Sequence, residues 1–283
     1  MNECIFFGLS SNMFQQLIAL PTLVFTLIII VASVSVALFG LYVGRRFLFK
    51  AALSSEESFS ANVLIRLIGA ILSVLLAFVV FSAWSDYEEQ RKRVVLEACD
   101  LGNIYRDSRG LGFDEENNVQ KLTKQYTYDI VHSGWPELAL GRESRKSWMS
   151  FNLLYGEIIR YEPTKKSEEI IFDRMLHNLN ELAAYRRMRI IRNENPHIPN
   201  ILWGTILISG LLTLTFSYMI VTPKSKLQKY MIAMVGFMFG LVFSMIILLN
   251  YPYRSSIKIS PYPFEKLLDD VFPTAEITAT FNR

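Results

Sequence analysis

Four long apolar segments limit what this chain can fold into. Each has more than about 18 residues with almost no charge, enough for a helix to cross a hydrocarbon layer of about 30 Å. The second segment contains one charged residue, Arg66, near its start, and the other three contain none. The sequence therefore predicts four membrane spans, at Leu17–Val43, Val63–Trp84, Ile198–Val221 and Tyr230–Asn250.

Composition supports a membrane protein and argues against other classes. Hydrophobic residues make up 51% of the 283 residues, more than is usual in a soluble domain of this length. The formal net charge is only +3, so a nucleic-acid partner is not indicated. The two cysteines, Cys4 and Cys99, are far apart and form neither a CxxC motif nor a disulfide framework.

The spans come in two pairs, separated by a long charged segment. An even number of spans places both termini and this segment on one side of the membrane. Basic residues flank the spans on both sides, so the positive-inside rule leaves the orientation open. We predict an N-terminal membrane pair, a helical soluble domain, a C-terminal membrane pair and a tail, at residues 1–84, 85–197, 198–250 and 251–283.

The soluble segment has the apolar period of helices almost throughout. No Gly or Pro separates the apolar and charged halves of LLAFVVFSAWSDYEEQRKRVV, residues 75–95, so span two is predicted to continue as one helix from about 62 to 109. Trp84 and Tyr87 are predicted to mark the membrane interface, as amphipathic aromatics do. Asp114 is a candidate N-cap, and Trp135-Pro136 is predicted to turn the chain.

Two spans contain small residues at intervals of four. Gly236, Gly240 and Ser244 in span four would let helix backbones approach closely. Span three has the stripe Thr205, Ser209, Thr213 and Ser217. Helix contact within one chain is the plainer interpretation of this stripe, and the lining of a wet path is the alternative.

Signals of catalysis are weak. The sequence lacks HExxH, GxSxG, GxxxxGK[ST] and GxGxxG motifs. Asp173, His177 and Glu181 share one helix face and could supply half of a metal site, although a solvated charged face is the plainer interpretation. We therefore predict no enzyme, no cofactor and no metal.

Several segments resemble a bacterial bestrophin-like membrane family, formerly described as a domain of unknown function. The resemblance runs over roughly residues 17 to 270. The matching segments, in order, are LLAFVVFSAWSDYEEQ, LEACDLGNIYRDSRGL, WPELALG, PHIPNILWGTILISGLLTLTFSYM and NYPYRSSIKISPYPFEKLL. Its most specific parts are Tyr105-Arg106-Asp107, Arg109-Gly110-Leu111 and the tail motif Ile259-Ser260-Pro261-x-Pro263-Phe264.

This resemblance implies kinship with bestrophins, which are pentameric ion channels whose second span lines the pore. Trp84, Tyr87 and Glu88 are similar to a motif at the end of that span. When span two is aligned on this motif, the apolar constriction of bestrophin channels falls near Ala70 and Val74. The bulky aromatic residues of that constriction are not matched at these positions. The acidic run that binds calcium in animal bestrophins is absent.

The first hypothesis is a homo-oligomeric ion channel, with five copies, in the bacterial inner membrane. Its partners would be the lipid bilayer, further copies of the chain and small inorganic ions. Ala70, Val74 and Phe78 would form stacked apolar rings, and Arg66 would form a basic ring near one mouth of the pore. The resemblance implies a cytoplasmic location for the helical domain and termini.

The second hypothesis is a membrane-anchored sensor or scaffold. In this case the four spans form a closed bundle, and the helical domain binds a cytosolic partner. A ring of copies would favour the channel, and a monomer or dimer would favour the scaffold.

Overall fold

A computed structural model describes residues 11–48, 55–195, 198–219 and 225–272. Within these ranges the chain forms helices and no strand, which confirms the predicted all-α fold. The α-helices, in chain order, are α1 (Ser11–Ile18), α2 (Thr22–Val43), α3 (Ser55–Asp107), α4 (Phe113–Asp129), α5 (Trp135–Ala139), α6 (Arg145–Arg160), α7 (Lys166–Glu194), α8 (Asn200–Met219), α9 (Ser225–Asn250) and α10 (Tyr262–Asp270).

The predicted spans correspond to long apolar helices. Among the described residues, four helices are long and apolar enough to cross a membrane. The qualifying stretches are Thr22–Arg46, Val63–Gly110, Asn200–Tyr218 and Lys226–Asn250. The last two residues of the third predicted span, and Cys4, lie outside the described residues.

The first apolar segment, Leu17–Val43, is not one helix, so this prediction was wrong in its bounds. Helix α1 ends at Ile18, and α2 begins at Thr22 with Pro21 at its N-cap position. Proline has no backbone N–H and disrupts a helix that runs through it. The carbonyl of Ile18 instead accepts a hydrogen bond of 3.2 Å from the backbone N–H of Ser256.

Helix α3 is unbroken over 53 residues, from Ser55 to Asp107. This confirms the prediction of one helix through the apolar and charged halves of the segment. The backbone needs no new partners along its length, because each N–H is bonded within the helix. A turn of 3-10 helix at Ser108–Gly110 follows, and Leu111 is extended.

The described residues fall into two compact units. The first, here called the membrane unit, contains those within Met1–Tyr87, Pro196–Tyr251 and Ser255–Ile257. The second, here called the helical unit, contains those within Glu88–Asn195, Pro252–Arg254 and Lys258–Arg283. Each unit has its own packed interior and is described separately below.

Two local predictions in the helical unit were wrong. Gly112, not Asp114, occupies the N-cap position of α4, and no side-chain cap bond forms there. Trp135-Pro136 does not turn the chain, because a π-helical turn, Ile130–Gly134, leads directly into α5. Pro136 lies in the first turn of α5, where proline's fixed φ suits a helix.

Candidate functional site: the uncovered face of α3

In the membrane unit, one side of α3 is packed against the chain's own helices. Leu72, Val79 and Ala83 are at most 3% exposed. Val79 and Ala83 belong to an apolar cluster with residues of α8, α9 and the segment before α8. The other members of this cluster are Ile198, Ile206, Ile246 and Leu249. This side of α3 therefore stabilises the fold of a single chain.

The opposite side of α3 has no covering helix within the membrane unit. Val74 is 71% exposed and Phe78 is 63% exposed, and Ala70 is exposed as well. These residues recur at intervals of four, so they share one helix face. The structure thus brings three of the predicted pore residues together on a surface that lipid, water or another copy must cover.

Arg66 lies one turn before Ala70 and is also exposed. A charged side chain inside an apolar span is costly in lipid and usually faces water or protein. The exposed faces of the other apolar segments contain no charged residue. The α3 face is therefore distinguished by a charge at one end of an apolar stripe.

Phe78 also borders a pocket of about 210 Å³ between α3 and the start of α8. The pocket is mostly apolar, and Ser82 contributes a polar group. Its lining consists of Phe78, Val79, Ser82, Ile198, Pro199 and Leu202. Phe78 therefore has open space on two sides, whereas Val79 is held in the apolar cluster.

Trp84 and Tyr87, the predicted interface residues, lie together near the end of the apolar part of α3. Their rings are stacked with centroids 6.2 Å apart. The Tyr87 hydroxyl donates a hydrogen bond of 2.9 Å to the carbonyl of Ile257. Trp84 is 48% exposed. Tyr and Trp are common at membrane surfaces because the ring is apolar while its O–H or N–H group can form a hydrogen bond.

The small residues of α9 lie against the backbone of α2. A Cβ atom on Gly240 would be 2.6 Å from Cα of Ile30, and one on Gly236 would be 3.0 Å from Cα of Val34. Ser244 is buried, and its hydroxyl donates to the carbonyl of Leu241 in its own helix. The two glycines permit close approach of α2 and α9.

Three of the four hydroxyl groups in the α8 stripe are hydrogen-bonded within their own helix. Thr205, Thr213 and Ser217 each donate to the carbonyl four residues earlier, at 2.7 to 2.9 Å. Hydroxyl groups in membrane helices commonly satisfy themselves in this way. These bonds favour the plainer interpretation of the stripe, because they require no water.

In the helical unit, α3 packs on α7 through a buried ion pair that the sequence did not reveal. Two hydrogen bonds of 2.8 and 2.7 Å join the Arg189 guanidinium to the Glu97 carboxylate. The guanidinium also lies over the Trp135 ring, 5.0 Å from its centroid. Burial alone lowers the pKa of Arg189, but the Glu97 carboxylate overcomes this and raises it.

Nearby, Asp100 of α3 faces three titratable residues. They are His177 and Glu181 of α7 and Glu97 of α3 itself. The pKa of Asp100 is raised from 3.8 to about 6, mainly by burial and further by the carboxylates of Glu181 and Glu97, whereas His177 opposes the rise. No group of three or more His, Cys, Asp or Glu residues suited to a metal occurs in the part of the chain that the structure describes.

The family-specific motifs hold the helical unit together. Asp107 accepts hydrogen bonds of 3.0 and 2.5 Å from Arg174 of α7. Tyr105 is buried against the Phe272 ring, with centroids 4.6 Å apart. In the tail motif, the carbonyl of Ile259 accepts a hydrogen bond of 2.9 Å from the indole N–H of Trp135. These motif residues therefore have structural roles.

Comparisons with known proteins agree with this architecture. A family model described as a bestrophin-like domain matches residues 6–264. Among solved structures, the chain is similar to a mutant of a bacterial bestrophin homolog from Klebsiella pneumoniae, with 14% sequence identity and a TM-score of 0.62. The match covers 87% of this chain and 95% of the homolog, and at this identity it shows a shared fold. No curated protein matches the sequence.

Proposed function

The chain belongs to the bestrophin-like family, and we propose that it forms a homo-oligomeric ion channel, with five copies around a central pore. The observation that carries this proposal is the uncovered face of α3. One side of the helix is packed within the chain, while Ala70, Val74 and Phe78 on the other side are exposed. The charged residue Arg66 lies one turn before them and is exposed as well. A ring of copies would cover this face and surround an axis.

The chemistry of the face suits a gated pore. Rings of apolar side chains repel water when the passage is narrow, and they can close a pore by dewetting. Val74 and Phe78 would form such rings, and the smaller Ala70 would leave a wider section. Arg66, repeated in every copy, would place a basic ring at one mouth, where a charge is solvated by the ions and water that pass.

The orientation is also part of the proposal. We place the protein in the inner membrane with the helical unit in the cytoplasm, as the family resemblance implies. Exposed Cys99 provides a test, once Cys4 is replaced by serine. A thiol reagent that cannot cross membranes should label Cys99 in opened cells and not in intact ones.

Recordings from planar bilayers test the channel directly. Purified protein should conduct ions, and Val74→Ser should raise the conductance at rest, because a polar ring is wetted more easily than an apolar one. Leu27→Ser is a matched control, since Leu27 is also an exposed residue of a predicted span, on α2. Absence of conductance, together with a monomer in native mass spectrometry, would favour the anchored scaffold instead.

A further inference from the structure

Basic side chains gather in the membrane unit where α2 ends and α9 begins. Arg45 lies in a π-helical turn, Gly44–Leu48, that directly continues α2, and Lys226 and Lys229 lie at the start of α9. The Arg45 guanidinium donates a hydrogen bond to the side-chain oxygen of Gln228, the neighbour of Lys229 in the chain. This bond brings the basic residues of the two helices close together.

The bond between Arg45 and Gln228 is part of the packing of three helices. Gln228 is buried, and its amide nitrogen donates a hydrogen bond of 3.5 Å to the carbonyl of Tyr218 in α8. A guanidinium has five N–H donors, and the bond to Gln228 occupies one of them. Arg45 forms no ion pair with any side chain that the structure describes. Its remaining donors are therefore held in place without a carboxylate from that part of the chain.

The surroundings of Arg45 carry an excess of positive charge. Three further basic residues are exposed and have no ion pair with a described side chain, namely Arg46, Lys226 and Lys229. Along the chain, segments 44–62 and 222–229 contain six basic residues and only two acidic ones, Glu56 and Glu57. Like charges repel, so an anion from outside the chain would stabilise this end of the membrane unit.

Each of the two helices continues inward from these charges with a tyrosine and then an apolar residue, at intervals of about one turn. The members of both series are exposed. From the end of α2 inward the series is Arg46, Tyr42 and Phe39, and from the start of α9 inward it is Lys226, Tyr230 and Met234. This order of charge, amphipathic ring and apolar side chain matches the headgroup, interface and acyl-chain layers of a phospholipid leaflet.

We infer that this end of the membrane unit binds an anionic phospholipid, with its phosphate between the Arg45 guanidinium and the Lys229 ammonium group. Phosphate oxygens accept short, charge-assisted hydrogen bonds from both kinds of donor. The acyl chains would lie along the exposed apolar side chains of α2 and α9. A free phosphate could use the same donors but would leave the tyrosines and apolar residues uncovered, so the structure favours the lipid.

The inference does not depend on ion conduction, since a scaffold with the same four spans would have the same site. It does bear on the proposed orientation, which places segments 44–62 and 222–229 on the periplasmic side. The positive-inside rule disfavours Lys and Arg in short segments on that side. A bound anionic headgroup gives these basic residues a function there.

Native mass spectrometry of the full-length protein, stripped of lipid in detergent and titrated with phosphatidylglycerol, tests the site. The double variant Lys226→Gln, Lys229→Gln removes two charges, each of which contributes about fivefold to the binding of an anionic lipid. Its affinity for phosphatidylglycerol should therefore fall more than tenfold. Both lysines are exposed, so the fold should be unaffected, which an unchanged melting temperature verifies.

Two matched controls accompany this variant. Lys226→Arg with Lys229→Arg keeps both charges and should keep the affinity within about twofold of the unaltered protein. Lys121→Gln removes a charge at an exposed position on α4 and should not change the affinity. If the double Gln variant bound phosphatidylglycerol as tightly as the unaltered protein, the assignment of these lysines would be wrong.

The choice of ligand separates a lipid site from a site for free phosphate. Phosphatidylcholine has the same acyl chains and phosphate but no net charge, so it should bind the unaltered protein at least tenfold more weakly. Millimolar inorganic phosphate should not displace phosphatidylglycerol. Equal binding of the two lipids, or full displacement by inorganic phosphate, would overturn the inference.

These results are independent of the test of conduction. A protein that binds phosphatidylglycerol through Lys226 and Lys229 but conducts no ions would support this inference and contradict the channel. A protein that conducts ions and has no preference for phosphatidylglycerol would support the channel and overturn this inference alone.

Discussion

The two units of this protein are stabilised in different ways. In the membrane unit, α9 lies so close to α2 that Gly236 and Gly240 leave no room for a side chain. In the helical unit, α3 and α7 are joined by long side chains, above all the Glu97–Arg189 pair. One unit depends on backbone proximity and the other on buried polar partners.

The surroundings of each unit explain this difference. Lipid tails are as apolar as leucine, so burying an apolar side chain between membrane helices gains little, and close packing has to supply the attraction. A water-facing unit gains from apolar burial, and its core can include a charge if that charge is paired and hydrogen-bonded. Each unit should therefore be sensitive to a different kind of substitution.

The largest effect is expected from Gly240→Leu in the membrane unit. Its Cβ would lie 2.6 Å from the backbone of Ile30, so α2 and α9 would have to separate. The cost should exceed the roughly 1–3 kcal/mol of ordinary overpacking, and the assembled protein should be lost. Size-exclusion chromatography in detergent measures this. Gly204→Leu is the control, because nothing lies within 4 Å of a Cβ at that position.

A smaller but still large effect is expected from Glu97→Gln in the helical unit. It leaves the buried Arg189 guanidinium without its counter-charge, which should cost about 3–5 kcal/mol. Thermal unfolding of the whole protein measures the loss. Glu89→Gln breaks an exposed pair with Arg93 and should cost less than about 1 kcal/mol. If Glu97→Gln and Glu89→Gln lost the same amount of stability, burial of the Glu97–Arg189 pair would not contribute to the stability of the fold.

The smallest effect concerns the pH dependence of the helical unit. The pKa of Asp100 is raised to about 6 in the folded protein, against 3.8 for the ordinary group. Folding is therefore favoured when Asp100 is protonated, and this contribution is lost as pH rises from about 4 through 6.

Asp100→Asn should remove this dependence and raise the melting temperature at pH 7.5 by a few degrees. Asp173→Asn is the control, because Asp173 is an exposed residue of α7. A lower melting temperature for Asp100→Asn at pH 7.5 would mean that the ionised carboxylate is stabilising.

Features that depend on nearby residues were predictable from the sequence. The length of α3 follows from uninterrupted helical spacing, and its observed bounds confirm the predicted helix. The interval between Gly236 and Gly240 indicated a close helix contact. Both signals consist of residues that are close together in the sequence, so they do not depend on the rest of the fold.

Features that depend on distant residues were not predictable. Glu97 and Arg189 are 92 positions apart, and nothing in either neighbourhood indicates that they meet. The sequence could predict that one side of α3 lines a pore. Which side the other helices leave uncovered could be seen only in the structure. The helical path through Pro136 was missed because it depends on a π-helical turn that leads directly into α5.

A density map viewed along the membrane normal tests the central claim most directly. It should show a ring of copies in which Ala70, Val74 and Phe78 of each α3 point toward an open centre. A particle in which these three side chains point outward to lipid, with no opening on the axis, would contradict the account.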